Sequence, residues 1–189
     1  MIGLIKGLVS ATILAFAGPS LLAQEIVHAM AGTIARIDPA NSSITLQLPD
    51  KKTVSFDFKP HLSAPISFDK TLRDEAAMAS GLPKEANHVI VYYYGLSPAI
   101  AVSVKDLGKE IAAITGTIVG ISETNRAITV QSETGRGETC NVSDQTTVET
   151  AYGAVDGTKY SPRKGEKVNA VCNYEAGKEV AQFIQPLND

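Results

Sequence analysis

The sequence predicts an all-β protein built from two tandem small barrels, each of five to six strands. Two observations predict this class. One pattern of residues occurs twice, 84 positions apart and without a gap, and each copy is followed by further short runs of strand-forming residues separated by turn residues. Five or six such strands in roughly 80 residues match the size of a small closed barrel.

The repeat organises the chain. Its first copy covers residues 32–47 and its second covers residues 116–131, with Gly, Thr, Ile, Ile, Asn, Ile, Thr and Gln at identical positions. Within each copy, two β-rich runs flank a cluster of turn residues, which is typical of a β-hairpin. We therefore predict a first barrel over residues 24–110 and a second barrel over residues 111–189.

The later segments supply three more strands to each half. The expected strands are Thr53–Phe58, Val89–Tyr94 and Ile100–Val104 in the first half, and Glu138–Val142, Val168–Tyr174 and Val180–Ile184 in the second. Between the third and fourth strands, Thr71–Ser80 is rich in helix-forming residues, whereas Ala151–Gly157 is expected to be a loop. A barrel with its insertion after the third strand has the order of an OB-fold, so both barrels are predicted to be OB-like.

The first 23 residues have the features of a bacterial secretory signal. Lys6 precedes an apolar run over residues 7–17, and Pro19 breaks that run shortly before Ala23. A membrane anchor is the alternative, but the run is shorter than the roughly 20 residues that span a bilayer. We expect cleavage after Ala23 and a periplasmic or secreted protein.

Composition narrows the classes of partner. The chain has 17 basic and 20 acidic residues and a formal net charge of −3. Nucleic-acid binders usually carry a basic face, and anionic membranes attract polybasic runs, so neither partner is expected. No segment after the leader is long and apolar enough for stable membrane insertion. The expected partner is a protein or a small ligand.

The cysteines predict a disulfide. Cys140 and Cys172 are the two cysteines of the chain, and neither a C-x-x-C spacing nor a neighbouring His indicates a redox or metal pair. The shift of 84 places Cys140 opposite Phe56, and the matched fourth strands place Cys172 opposite Tyr93. Both thiols are expected to point into the second barrel, where the first barrel packs two aromatic rings.

The repeated pattern, together with the later run Gly165-Glu166-Lys167-Val168, resembles small exported bacterial β-barrel domains. These include domains of unknown function and, more distantly, the periplasmic copper/silver chaperones of the Cus efflux system. Those chaperones would bind the ion through a His, a Met-x-Met pair in the third strand and a Trp. This chain has no Trp and no Met in either third strand, so the resemblance transfers no metal ligand.

The remaining candidates for chemistry do not form a known motif. Five residues could ligate a metal but have no motif spacing: His28, Met30, His61, Met78 and His88. No nucleophile elbow, H-E-x-x-H, P-loop or glycine-rich dinucleotide turn occurs, so we expect neither an enzyme nor a metal or cofactor site.

Tyr92 and Tyr94 are the candidate binding residues. Strand alternation turns both away from the face of Tyr93, so they form either a recognition surface or the seam between the barrels. We expect a non-enzymatic binding or assembly module that acts outside the cytoplasm through protein contacts. The alternative is a small-ligand or metal-binding periplasmic accessory protein.

Overall fold

The computed structural model describes residues 24–58, 66–78, 83–124, 126–175 and 177–187. The predicted signal, residues 1–23, lies outside the described residues. The strands are β1 (Glu25–Ile26), β2 (His28–Asp38), β3 (Ser43–Gln47), β4 (Thr53–Asp57), β5 (Ile66–Ser67), β6 (His88–Tyr94), β7 (Ala99–Gly108), β8 (Ala112–Ser122), β9 (Ala127–Gln131), β10 (Gly137–Asn141), β11 (Thr147–Thr150), β12 (Gly153–Asp156), β13 (Lys167–Glu175) and β14 (Lys178–Pro186). The helices are α1 (Lys70–Met78) and a 3₁₀ turn (Gly157–Lys159). The predicted all-β class is therefore confirmed.

The first half is a closed barrel with strand order β2-β3-β4-β7-β6. Neighbouring strands are antiparallel except β4 and β7, which run parallel at Phe56–Ala99 and Asp57–Ile100. Alternate residues of each strand face inward, so the barrel fills with aliphatic and aromatic side chains. The buried members are Ile34, Ile44, Leu46, Phe56, Val89, Val91 and Ala101.

The insertion of the first half contains the predicted helix. Helix α1 begins at Lys70 and ends at Met78 within the described residues. Asp69 caps its start, because its Oδ1 accepts hydrogen bonds from the backbone N–H of Thr71 at 3.0 Å and of Leu72 at 3.2 Å. Leu72 is fully buried, so the helix is held by one apolar contact face. The short strands β1 and β5 pair in parallel beside it.

The second half pairs its strands in the same sequence order. Its sheet runs β10-β9-β8-β13-β14-β11-β12, and a parallel pairing of Asn141 with Val180 joins β10 to β14. The pairings of β8, β9, β10, β14 and β13 thus form a closed ring. The interior holds Ile118, Ile128 and Val168 at 0–1 % exposure.

The prediction of a loop over Ala151–Gly157 is wrong for residues 153–156, which form β12, whereas Ala151 and Tyr152 form a turn. Strands β11 and β12 form an antiparallel hairpin whose first strand pairs with β14, so they extend the sheet beyond the ring. Gly153 has φ +104° and begins β12 immediately after the turn. Glycine and alanine carry no strand signal in the sequence, and pairing with β11 decides the conformation of β12.

The strand registers of the two halves agree residue for residue. Ile34 pairs with Leu46 and Ile118 pairs with Val130, and an irregularity follows at the next residue in both strands. The close approach of the facing strand explains why each copy of the repeat begins with a glycine. A Cβ on Gly32 would lie 2.9 Å from the backbone oxygen of the facing Gln47, and one on Gly116 would overlap the backbone oxygen at the same place in the second half.

The predicted disulfide between Cys140 and Cys172 is confirmed. Both residues are buried, at 1 % and 0 % exposure, inside the second half. At the matching positions of the first half, the rings of Phe56 and Tyr93 pack with centroids 5.0 Å apart. A covalent bond in one core thus occupies the place of an aromatic pair in the other.

Candidate functional site

The structure places Tyr92 and Tyr94 away from solvent. Tyr92 is 0 % exposed and Tyr94 is 7 % exposed. The ring of Tyr92 packs on Phe68 with centroids 5.1 Å apart, and its hydroxyl is hydrogen-bonded to Oγ1 of Thr147 in the second half at 2.7 Å. Tyr92 therefore lies in the seam between the halves, and neither tyrosine offers an open recognition surface.

An apolar cluster, here called the interface cluster, joins the two halves. Its residues are buried and come from both halves: Val27, Ala29, Leu72, Ile90, Tyr92, Leu107, Ala154, Val171 and Phe183. The backbone also crosses the seam, because the N–H of Ala154 donates to the carbonyl of Val27 at 2.8 Å. A shared apolar core of this kind holds the two halves in one relative position.

Two polar contacts also join the halves. Nδ1 of His28 lies 2.6 Å from Oε1 of Glu149, and the N–H of Ala29 donates to Oε2 of the same carboxylate at 2.7 Å. In the second contact, the ammonium group of Lys159 binds Asp69 in the first half and Asp156 at 3.1 Å in the second. Both carboxylates of the second contact are 4 % exposed, so this cation links the helix cap of one half to the 3₁₀ turn of the other.

Burial governs the protonation of Glu149. Burial raises the pKa of Glu149, and the hydrogen bonds from His28 and Ala29 oppose part of that rise. The pKa of Tyr93 is raised chiefly by burial and secondly by the charge of Glu149. The side chain of Glu149 is 12 % exposed, so its negative charge sits at the seam with His28 as its direct partner.

A groove runs along the outside of the same seam. It consists of a cavity of about 480 Å³, an adjoining one of about 140 Å³ and a third of about 380 Å³. The first two share Ala31, Leu48, Pro49, Ala113 and Val171. The first and third share Gln185. We call these three cavities, which share lining residues, the interface groove.

The walls of the interface groove are mainly apolar. The first half supplies Met30 and the β3–β4 turn at Leu48, and the second half supplies Ile114, Val171 and Phe183. Among the described residues, no Lys or Arg lines any of the three cavities. Apolar walls with few polar groups are the usual lining of binding sites.

The polar groups of the groove form a row across three neighbouring strands. Thr115 of β8 is opposite Asn169 of β13, which is opposite Gln185 of β14. The hydroxyl of Thr115 donates to Oδ1 of Asn169 at 2.7 Å, and Nδ2 of Asn169 donates to Oε1 of Gln185 at 3.5 Å. This direction leaves the Nε2 group of Gln185 without a partner among the described residues, at the point where two cavities meet.

His88 lies at the far end of the groove. Its Nε2 is 3.0 Å from Oγ1 of Thr33, while its Nδ1 is buried and has no partner among the described residues. Burial lowers the pKa of His88, which favours a neutral ring at pH 7.

The two candidate histidines within the described residues, His28 and His88, do not lie together. His28 pairs with Tyr93 and His88 pairs with Thr33, so the two histidines lie five residue pairs apart on the β2–β6 ladder. His61 lies outside the described residues. Within the part of the chain that is described, no group of three or more His, Cys, Asp or Glu side chains is arranged to hold a metal ion.

The linear sequence gives no sign of Glu149, Thr147, Asn169 or Gln185 as interface or groove residues. Strand alternation could have assigned Asn169 and Gln185 to an outward face, but not to a face covered by the other half. None of the described helices is long and apolar enough to cross a membrane. A scan against protein-family models, a search of curated proteins and a search of solved structures each found no match to this chain.

Proposed function

We propose that the chain is an exported, non-enzymatic binding module that holds a protein partner in the interface groove. The groove is the observation that carries this proposal, because it combines apolar walls, a row of amide groups and a fixed position between two packed halves. Interfaces that bind other proteins are typically apolar at the centre and polar at the rim.

Two copies of one OB-like domain are the architecture that we propose for this module. The strand order of each ring, with the third strand parallel to the fifth and an insertion after the third, agrees with an OB-fold. The identical registers at a shift of 84 positions support a duplication. The proposed domains are residues 24–110 and 111–189, and β7 ends at Gly108 before β8 begins at Ala112.

Action outside the cytoplasm is supported by two features. Residues 1–23 have the composition of a signal peptide. The buried disulfide of the second half is consistent with an oxidising compartment, since such bonds are rare in the cytosol. A periplasmic or secreted location follows from the two together.

A blocked groove tests the proposal. Ala113 is exposed and lines both the first and the second cavity, so Ala113→Arg fills the groove with a charged side chain. Ala35 is also exposed, lies on the first strand of its half and lines none of the three cavities. Ala35→Arg is therefore the matched control.

The assay is selection from a display library of protein fragments made from the source genome. Wild type and Ala35→Arg should enrich the same fragments, and Ala113→Arg should not. The proposal is refuted if wild type enriches nothing above an empty support, or if Ala113→Arg enriches the same fragments as wild type.

A small apolar ligand is the second candidate. The largest of the three groove cavities, about 480 Å³, lies within the range of roughly 300–1,000 Å³ that small-molecule sites occupy. The uncharged fluorophore N-phenyl-1-naphthylamine tests this candidate directly. Binding to wild type and to Ala35→Arg, with loss in Ala113→Arg, together with no enrichment of protein fragments, would favour the small ligand over the protein partner.

A further inference from the structure

We propose that the occupant of the interface groove is an extended, uncharged polypeptide segment whose backbone amides are bound by Gln185 and Asn169. This inference rests on the proposed function and specifies the chemistry of the partner. The alternatives that the experiment must separate are the apolar face of a folded protein and a charged chain.

The shape of the groove favours an extended chain. The cavity beside His88 shares lining residues with the cavity between the halves, and that one shares Gln185 with the cavity beside Tyr152, which second-half residues line. Tyr152 is 87 % exposed, so the third cavity is open at its outer edge. A linear segment fills such a series, whereas a compact ligand fills one cavity.

The charges of the groove favour an uncharged occupant. Among the described residues, its two carboxylates already have cationic or hydrogen-bonding partners. Asp50 is 2.8 Å from Nζ of Lys52, and Glu149 is bound by His28. With no Lys or Arg in the lining, a phosphate or carboxylate group would enter the groove without a counterion, at a desolvation cost. The carboxylate of Asp50 is half exposed and that of Glu149 is 12 % exposed, so a cationic segment would compete with the partner that each acidic group already has.

The amide row favours a polypeptide over a hydrocarbon. Thr115 donates to Asn169 and Asn169 donates to Gln185, so the row ends on an Nε2 group that can donate to a further acceptor. A backbone carbonyl is such an acceptor, whereas a lipid tail would cover the amide without bonding to it, which is unfavourable.

The groove is continuous with the interface between the halves. Val171 and Phe183 belong to the interface cluster and also line the groove cavity of about 480 Å³. A segment lying in the groove would therefore contact the edge of an apolar core whose position is already determined, so little ordering of the protein is required on binding.

The experiment uses three pools of ten-residue peptides, acetylated and amidated at their ends. The first pool contains Val, Leu, Ser, Thr and Gly, the second has Asp at every second position, and the third has Lys there. Each is added to the isotope-labelled, disulfide-bonded protein, and NMR follows the side-chain NH₂ signals of Gln185 and Asn169. The affinity of wild type is compared with that of Gln185→Leu and of Gln145→Leu, a control at an exposed glutamine outside the groove.

We expect the uncharged pool to shift both NH₂ signals and the Asp and Lys pools to bind at least about tenfold more weakly. Gln185→Leu should weaken the uncharged pool by about fivefold, which is the size of one neutral hydrogen bond, and Gln145→Leu should have no effect. The inference is overturned if all three pools bind equally, if the uncharged pool does not bind, or if Gln185→Leu binds like wild type. In those cases, if Ala113→Arg still failed to enrich the protein fragments that wild type enriches, the proposed function would stand and the partner would be a folded protein.

Discussion

The hydrogen bond between Tyr92 and Thr147 offers a direct measurement of how firmly the halves are joined. Both residues are fully buried and their hydroxyl oxygens are 2.7 Å apart. Tyr92→Phe or Thr147→Val alone leaves one buried hydroxyl without this partner, which costs about 1–3 kcal/mol. In a chain of this size, each kcal/mol lowers Tm by about 2–4 °C. Tyr92→Ala removes the whole ring from the interface cluster and should cost about 3–5 kcal/mol.

The double variant Tyr92→Phe/Thr147→Val removes both hydroxyls together. Replacing both partners of a buried hydrogen bond by apolar groups of similar shape is close to neutral, so the double variant should be clearly more stable than the sum of the two single changes predicts. Urea and thermal unfolding followed by circular dichroism measure wild type, the two single variants, the double variant and Tyr92→Ala. Tyr152→Ala, at a residue 87 % exposed, is the control and should change stability by less than about 0.5 kcal/mol. The described contact between the halves would be refuted if the losses of stability in the two single variants added up to the loss in the double variant. It would also be refuted if Tyr92→Ala were as stable as the control.

Three further predictions concern the second half. Reduction of the bond between Cys140 and Cys172, which spans 32 positions, should lower the free energy of unfolding by about 4 kcal/mol on the chain-entropy relation. Unfolding with and without reductant measures this difference. Two free thiols in the denatured, unreduced protein would contradict the bond. Because burial raises the pKa of Glu149 above its ordinary 4.5, the folded state binds the proton more tightly than the unfolded state. The stability of wild type relative to Glu149→Gln should therefore fall as pH rises from below 4.5 to neutrality, and a relative rise in urea titrations across that range would be the opposite of this expectation. Gly116→Ala places a Cβ against the backbone of the facing strand and should cost about 1–3 kcal/mol. Gly137→Ala, whose Cβ would lie 3.9 Å from the nearest backbone oxygen, should cost much less, and equal losses would show that the strand adjusts.

Much of the architecture could be predicted because it depends on local rules. Strand alternation and the repeat placed Ile34 and Ile118 in equivalent strands, and the structure has them at matching registers. The disulfide was predictable for the same reason, since two inward positions in one small barrel must lie close together. The helix after the third strand followed from its composition of helix-forming residues.

The interface and the groove could not be predicted from the sequence. His28 and Glu149 are 121 positions apart, and Tyr92 and Thr147 are 55 apart. Strand periodicity determined which face Tyr92 is on, but it does not determine what covers that face. The tertiary structure decided this by extending the second sheet with the β11–β12 hairpin, which carries Thr147 and Glu149 onto the first half. The amino-acid sequence by itself therefore determined the five strands of each ring, their inward faces and the cysteine pair, because these follow from neighbouring residues. Only the packing of one half on the other, which depends on contacts between distant segments, decided that the tyrosine face is a seam and that a groove lies beside it.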